Sequence, residues 1–114
     1  MNLRAPLLVF IAACSAIACD PVGTVRGTIV DGAKAPIADA NVVLDCGGGG
    51  RTVTTDSQGK YIAQRAGFLS PQCEIEATKD GYSKQRQRIG NRCTDTDKEH
   101  CRTAVLDVEL VPTK

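Results

Sequence analysis

From Val22 onward the chain alternates apolar and polar residues, and no stretch carries the three-to-four spacing of an amphipathic helix. In Val22 to Val30, Val25, Gly27 and Ile29 share one face, and Thr24, Arg26 and Thr28 share the other. Asn41 to Cys46 puts Val42, Leu44 and Cys46 together, Arg51 to Thr55 is a β-branched run, and Lys60 to Gln64 follows. Cys73, Ile75 and Ala77 alternate with Glu74, Glu76 and Thr78. Ser83 to Arg88 is almost wholly polar, and Leu106, Val108 and Leu110 alternate with Asp107 and Glu109 as a half-buried last strand. Turn signals separate the runs: Asp31-Gly32, Asp56-Ser57-Gln58-Gly59 and Asp80-Gly81, with the glycines Gly47 to Gly50 as a further connection. Pro36 keeps its stretch out of a central strand. Seven short strands with a turn roughly every 8 to 12 residues are the pattern of an all-β sandwich. The inward residues are modest in size, so the core is thin and help from disulfides is expected.

The first twenty residues have another character. Arg4 supplies positive charge, Leu7 to Ala13 form an apolar run that resumes at Ala16 and Ile17, and the small Ala18 precedes Cys19. A charged start, an apolar stretch and small residues at a cut site define a secretory signal. The run is short for a transmembrane helix, which needs about 20 apolar residues. Ala16-Ile17-Ala18-Cys19 resembles the bacterial lipobox, though Ala16 stands where a larger aliphatic is usual. The resemblance implies a diacylglycerol on Cys19, and two or three acyl chains anchor stably where one binds only marginally. Ile11-Ala12-Ala13-Cys14 also fits the pattern; Cys19 is preferred because Cys14 would leave a very short apolar run. The expected organisation is a lipoprotein signal peptide over residues 1–18, a short tether over 19–21, and one domain over 22–112.

Charge narrows the range of partners. The chain of 114 residues has 14 basic and 13 acidic side chains. Without Arg4, which lies in the expected signal, residues 19–114 hold 13 of each and are neutral. A neutral domain exerts no long-range pull on nucleic acid, so no nucleic-acid partner is expected. With no Trp, two Phe and two Tyr, a stacking platform for sugars or bases is also disfavoured.

Several stretches, taken in order, carry a family resemblance. Val25-Arg26-Gly27-Thr28-Ile29-Val30-Asp31 is followed by Ala35-Pro36-Ile37-Ala38-Asp39-Ala40-Asn41-Val42-Val43-Leu44. Thr54-Thr55-Asp56-Ser57-Gln58-Gly59-Lys60-Tyr61 and Lys79-Asp80-Gly81-Tyr82 come next. This resembles the carboxypeptidase regulatory-like domain, a seven-stranded transthyretin-like (prealbumin-like) β-sandwich related to collagen-adhesin B-type repeats, over residues 22–111. Asp56 can bond its own turn, Gly59 can take φ > 0, and Tyr61 is expected to pack inward. The resemblance implies a non-catalytic module that supports, projects or adheres. It also implies which of the three possible pairings the four cysteines beyond Cys19 adopt. In the family sandwich the strands bearing Cys46 and Cys73 are neighbours, so the expected bridges are Cys46–Cys73 and Cys93–Cys101.

The residues offer little chemistry. There is one His, no Gly-x-Ser-x-Gly elbow and no phosphate-loop ending after Gly47 to Gly50. The His, Arg and Tyr sets of the related hydroxyisourate hydrolases and intradiol dioxygenases are not matched. No Lys lies in Val22–Val30 and no Asn in Ala104–Val111, so the isopeptide bond of adhesin repeats is not expected. Cys93, Asp95, Asp97, Glu99, His100 and Cys101 crowd into nine residues. The zinc set Cys93, His100 and Cys101 falls short of four ligands, and Asp95, Asp97 and Glu99 do not follow an EF-hand; a charged loop pinned by a disulfide is the expected reading. No catalytic residue, metal or cofactor is therefore expected. The expected function is a membrane-anchored module, held through lipid on Cys19, that docks another protein of the cell envelope. The alternative is an envelope or extracellular polysaccharide bound by Lys84, Arg86 and Arg88, which share one parity of a strand suited to a sheet edge.

Overall fold

The computed structural model describes residues 21–48 and 50–113. The expected signal peptide and both candidate lipid cysteines, Cys14 and Cys19, lie outside the described residues. Strand β1 (Val22–Val30) is the axis of the domain. It pairs antiparallel with β4 (Lys60–Ala66) on one side. On the other it pairs parallel with β8 (Thr103–Val105) and then β9 (Val108–Glu109). The second sheet runs β3 (Gly50–Thr54), β2 (Asn41–Asp45), β5 (Glu74–Thr78) and β7 (Gln85–Arg88), all antiparallel. A short ladder joins β6 (Tyr82–Ser83) to β10 (Val111–Pro112). The two sheets face each other across one core that holds Val25, Ile29, Val42, Leu44, Ile75, Leu106 and Leu110. The chain is an all-β, transthyretin-like sandwich.

Two expected strands are interrupted. Ser83 to Arg88 breaks at Lys84, because Tyr82 and Ser83 leave the second sheet to pair with the C-terminal segment. The last strand breaks at Leu106 and Asp107, although Leu106, Val108 and Leu110 are all buried as the alternation requires. Register does not slip across this break: Arg26 pairs with Val105, and Ile29 pairs with Val108 at the same offset.

The cause of the break is a close crossing. The Leu106 carbonyl lies over Gly27, where a Cβ would stand 1.9 Å from that oxygen. Tyr61, opposite Gly27 in the β1–β4 ladder, donates its buried hydroxyl to the same carbonyl at 2.6 Å. Thr28 N–H donates instead to the Asp107 carboxylate at 2.8 Å, which replaces the missing ladder partner. The apolar surroundings of Tyr61, and secondarily the Asp107 charge, raise its phenol far above the usual range.

Turn chemistry follows the sequence. Asp56 accepts from Gln58 N–H and Lys60 N–H, both at 2.9 Å, and Gly59 has φ of 76°. The Thr55 hydroxyl ties the neighbouring loop by accepting from Ala40 N–H and donating to the Ile37 carbonyl. No buried side-chain polar atom among the described residues lacks a partner. Cys46 and Cys73 continue the β2–β5 ladder one pair beyond Asp45 and Glu74, and they are bonded. Cys93 and Cys101 form the second bridge.

Tyr61→Phe leaves the buried Leu106 carbonyl short of a donor and should cost about 1–3 kcal/mol in urea unfolding, with the slope of the transition unchanged. The raised phenol gives a sign. Its stabilising effect is complete below the unfolded value of 10.0 and is lost as pH climbs above it, because the unfolded chain ionises first. Tyr61→Phe should flatten that alkaline decline. By loop closure, Cys46–Cys73 is worth about 3.5 kcal/mol and Cys93–Cys101 about 2.5 kcal/mol. Replacing each pair by Ala should therefore lower the thermal midpoint more for Cys46/Cys73, read by circular dichroism.

Candidate functional site

Two clusters gather the polar residues singled out by sequence: the outer face of β7 and the loop closed by Cys93–Cys101. Strand β7 stands at the edge of its sheet and pairs only with β5. Its register sets Arg88 opposite Glu74 and Arg86 opposite Glu76. Arg86 donates to Glu76 at 2.6 Å and lies 3.6 Å from Glu74. Lys84 sits 3.8 Å from Glu76, and Arg88 sits 3.7 Å from Glu74. The Arg86 hydrogen bond holds the Glu76 carboxyl below its usual range, and Glu76 in turn keeps Arg86 more firmly protonated. Three cations thus share two carboxylates, and the Asp45 carboxylate also acts on Arg86, so the stripe carries little net charge. Such solvent-screened pairs add little to stability, so their larger effect is on the field that the stripe presents. The alternation of Glu74 and Glu76 was visible in the sequence. Their position across from Arg88 and Arg86 follows only from the pairing of β5 with β7.

The second cluster is built around a disulfide. The donor atoms of Cys93, Asp95 and Cys101 lie within 4.8 Å of one another, but both sulfurs are bonded to each other and offer no thiolate. Asp95 accepts from Thr103 N–H at 3.2 Å. Asp97 caps the 3₁₀ turn Lys98–His100 by accepting from Glu99 N–H, and its second oxygen meets His100 Nδ1 at 2.7 Å. His100 and the Glu99 N–H hold the Asp97 carboxyl below its usual range. The His100 ring meets the Phe68 ring edge-on at 4.9 Å, and the Arg102 guanidinium lies 5.7 Å from the Phe68 ring centroid. The zinc set weighed from sequence is therefore split, with His100 turned to Asp97 and Phe68 and Asp95 in its place beside the cysteines. Asp95, Asp97 and Glu99 do not converge: the first two are engaged on different N–H groups.

The geometry of the sandwich agrees with comparison to known proteins. A family model described as the carboxypeptidase regulatory-like domain matches residues 24–109. The chain belongs to this family. No curated protein matches the sequence. Among solved structures, the domain is similar to chlorocatechol 1,2-dioxygenase from Pseudomonas putida, with a TM-score of 0.63 and 13% identity over 81% of this chain and 61% of that one. It is also similar to hydroxyquinol 1,2-dioxygenase from Pseudomonas putida DLL-E4, with a TM-score of 0.61 and 10% identity over 85% and 58%. Catechol 1,2-dioxygenase from Acinetobacter radioresistens gives a TM-score of 0.60 and 16% identity over 89% and 55%. This chain spans less than two thirds of those enzymes, and at such identities the likeness is one of fold.

Substituting Lys84, Arg86 and Arg88 together with Gln should leave retention on an immobilised sulfated polysaccharide unchanged at neutral pH. Glu74→Gln with Glu76→Gln should raise it, most strongly at low salt. Because the Glu76 value is lowered, the pairing is present above 4.5 and is lost as pH falls through the lower folded value. Acid should therefore expose the stripe of the unmodified protein and increase its retention.

Proposed function

We propose that this protein is an exported lipoprotein of the bacterial envelope, anchored through Cys19, whose sandwich is a non-catalytic interaction module. The observation that carries this reading is that the domain's reactive groups are already committed within it. The four cysteines are paired, His100 is held by Asp97, Tyr61 is buried on a backbone carbonyl, and Lys84, Arg86 and Arg88 share Glu74 and Glu76. A nucleophile and base within reach of each other, which nucleophilic catalysis requires, are not found among these groups. Two disulfides in a small domain suit an oxidising compartment, as the apolar run before Cys19 also suggests. The docked partner is a protein of the envelope. The polysaccharide reading rests on the stripe at β7, and the two glutamates beside it weigh against that reading.

The intact mass of membrane-extracted protein, taken without reduction and after alkylation, is the direct test. The expected mass is that of Cys19–Lys114 plus acyl chains, less four protons, with no alkylation. Cys19→Ala should abolish the acyl mass and leave residues 1–18 attached, because the cut and the lipid both depend on that thiol. Retention of residues 1–18 on the mature protein, or a free thiol that labels, would overturn the reading.

A further inference from the structure

The two sheets end in edges that are protected unequally. Edge β7 carries Lys84, Arg86 and Arg88 beside it, a charged edge of the kind that resists pairing. Edge β8 is covered: Thr94 N–H donates to the Thr103 carbonyl, and Cys93 bridges to Ala104. Continuing from β8, β9 presents Glu109, which pairs with Lys34. Edge β3 is five residues long and has no exposed large apolar side chain. Edge β4 is the exception. It has seven residues, pairs among the described residues only with β1, and bears Ile62 at 61% exposure.

Ladder phase fixes which backbone groups face outward on β4. Ile29 N–H donates to the Gly59 carbonyl, so the bonds to β1 fall on Tyr61, Ala63 and Arg65. The N–H and C=O groups of Ile62 and Gln64 point away from β1 and meet no partner among the described residues. The groups on either side are occupied. Lys60 N–H and C=O both bond to Asp56, and the Ala66 carbonyl accepts from Arg65.

We propose that β4 is a homotypic pairing site, at which two copies of this chain join antiparallel through Ile62–Gln64 and continue one sheet into the other. The open segment is self-complementary. With the two-fold axis at Ala63, Ile62 of one copy faces Gln64 of the second copy, and each open donor meets an open acceptor. The two Ile62 side chains become diagonal neighbours on the outer face, within contact range. Lys60 stays on Asp56 and the Ala66 carbonyl on Arg65, so the seam is confined to Ile62–Gln64, which carries no charged side chain. Neutrality of residues 19–114 removes long-range repulsion between copies.

The test uses the full chain in detergent, with the unmodified chain oxidised in parallel so that any bridge through Cys14 or Cys19 is scored as background. Facing residues in a bonded pair have Cα atoms about 5.5 Å apart, within disulfide range. The double variant Ile62→Cys with Gln64→Cys should run as a covalent dimer without reductant, whereas Ser83→Cys, exposed at another ladder, should stay monomeric under the same oxidation. Gln64→Pro removes an outward N–H and no bond to β1. Ile62→Lys places a charge at the seam on an already exposed position. Each should weaken self-association by sedimentation at least about tenfold with an unchanged thermal midpoint. If Gln64→Pro lowers the midpoint, Ile62→Lys alone decides. Absence of the covalent dimer, equal trapping at Ser83, or trapping of a different protein in its place would overturn the proposal.

Discussion

The crossing of Leu106 over Gly27 governs this domain. Strand β1 is the one element that pairs on both sides within its sheet, and all its partners must approach it without slipping. At Gly27 the last strand comes so near that no side chain fits, and the buried Tyr61 hydroxyl fixes the carbonyl that makes the approach. Apolar surroundings strengthen that hydrogen bond and would penalise its loss. Asp107 supplies the acceptor that the broken ladder withholds from Thr28. With register kept across the break, Leu106, Val108 and Leu110 all remain inside, and the two sheets close over a core with little aromatic content.

A thin core leaves more of the order to covalent links and turns. Cys46–Cys73 extends the β2–β5 ladder, and Cys93–Cys101 holds the segment that covers the β8 edge. The second bridge therefore does two things: it shortens a charged loop and keeps the β8 edge from pairing elsewhere. The carboxylates of Asp56 and Asp97 serve backbone N–H groups in their turns, and those of Glu74 and Glu76 serve the cations of β7. Polar side chains here mostly hold the fold, and the proposed docking role rests on that commitment.

Much of the sandwich was legible in order along the chain. Period-two alternation located β1, β2, β4 and β5, and the Asp56–Gly59 turn was readable because carboxylate capping and positive φ are local properties. Tyr61 was assigned an inward place from its position after that turn. What it bonds to was not legible, since Leu106 is far away in sequence. The same distance hid the partners of the basic stripe. Lys84, Arg86 and Arg88 read as a free cationic surface until β5 is laid beside β7. The bridges were inferred through the family topology, because four cysteines alone leave three pairings open.

The sequence by itself determined the local terms: which faces of the strands are apolar, where the chain turns, and that the charge from Cys19 onward sums to zero. It also identified the four cysteines available for bridges and the small Gly27 on an otherwise apolar face. Tertiary structure decided every relation between strands. It broke the last strand at Leu106, placed Glu74 and Glu76 against the stripe, separated His100 from the cysteines and left the β4 edge open. The reason is geometric. A strand's faces follow from the alternation of its own residues, whereas its neighbours and register depend on which distant segment returns to it.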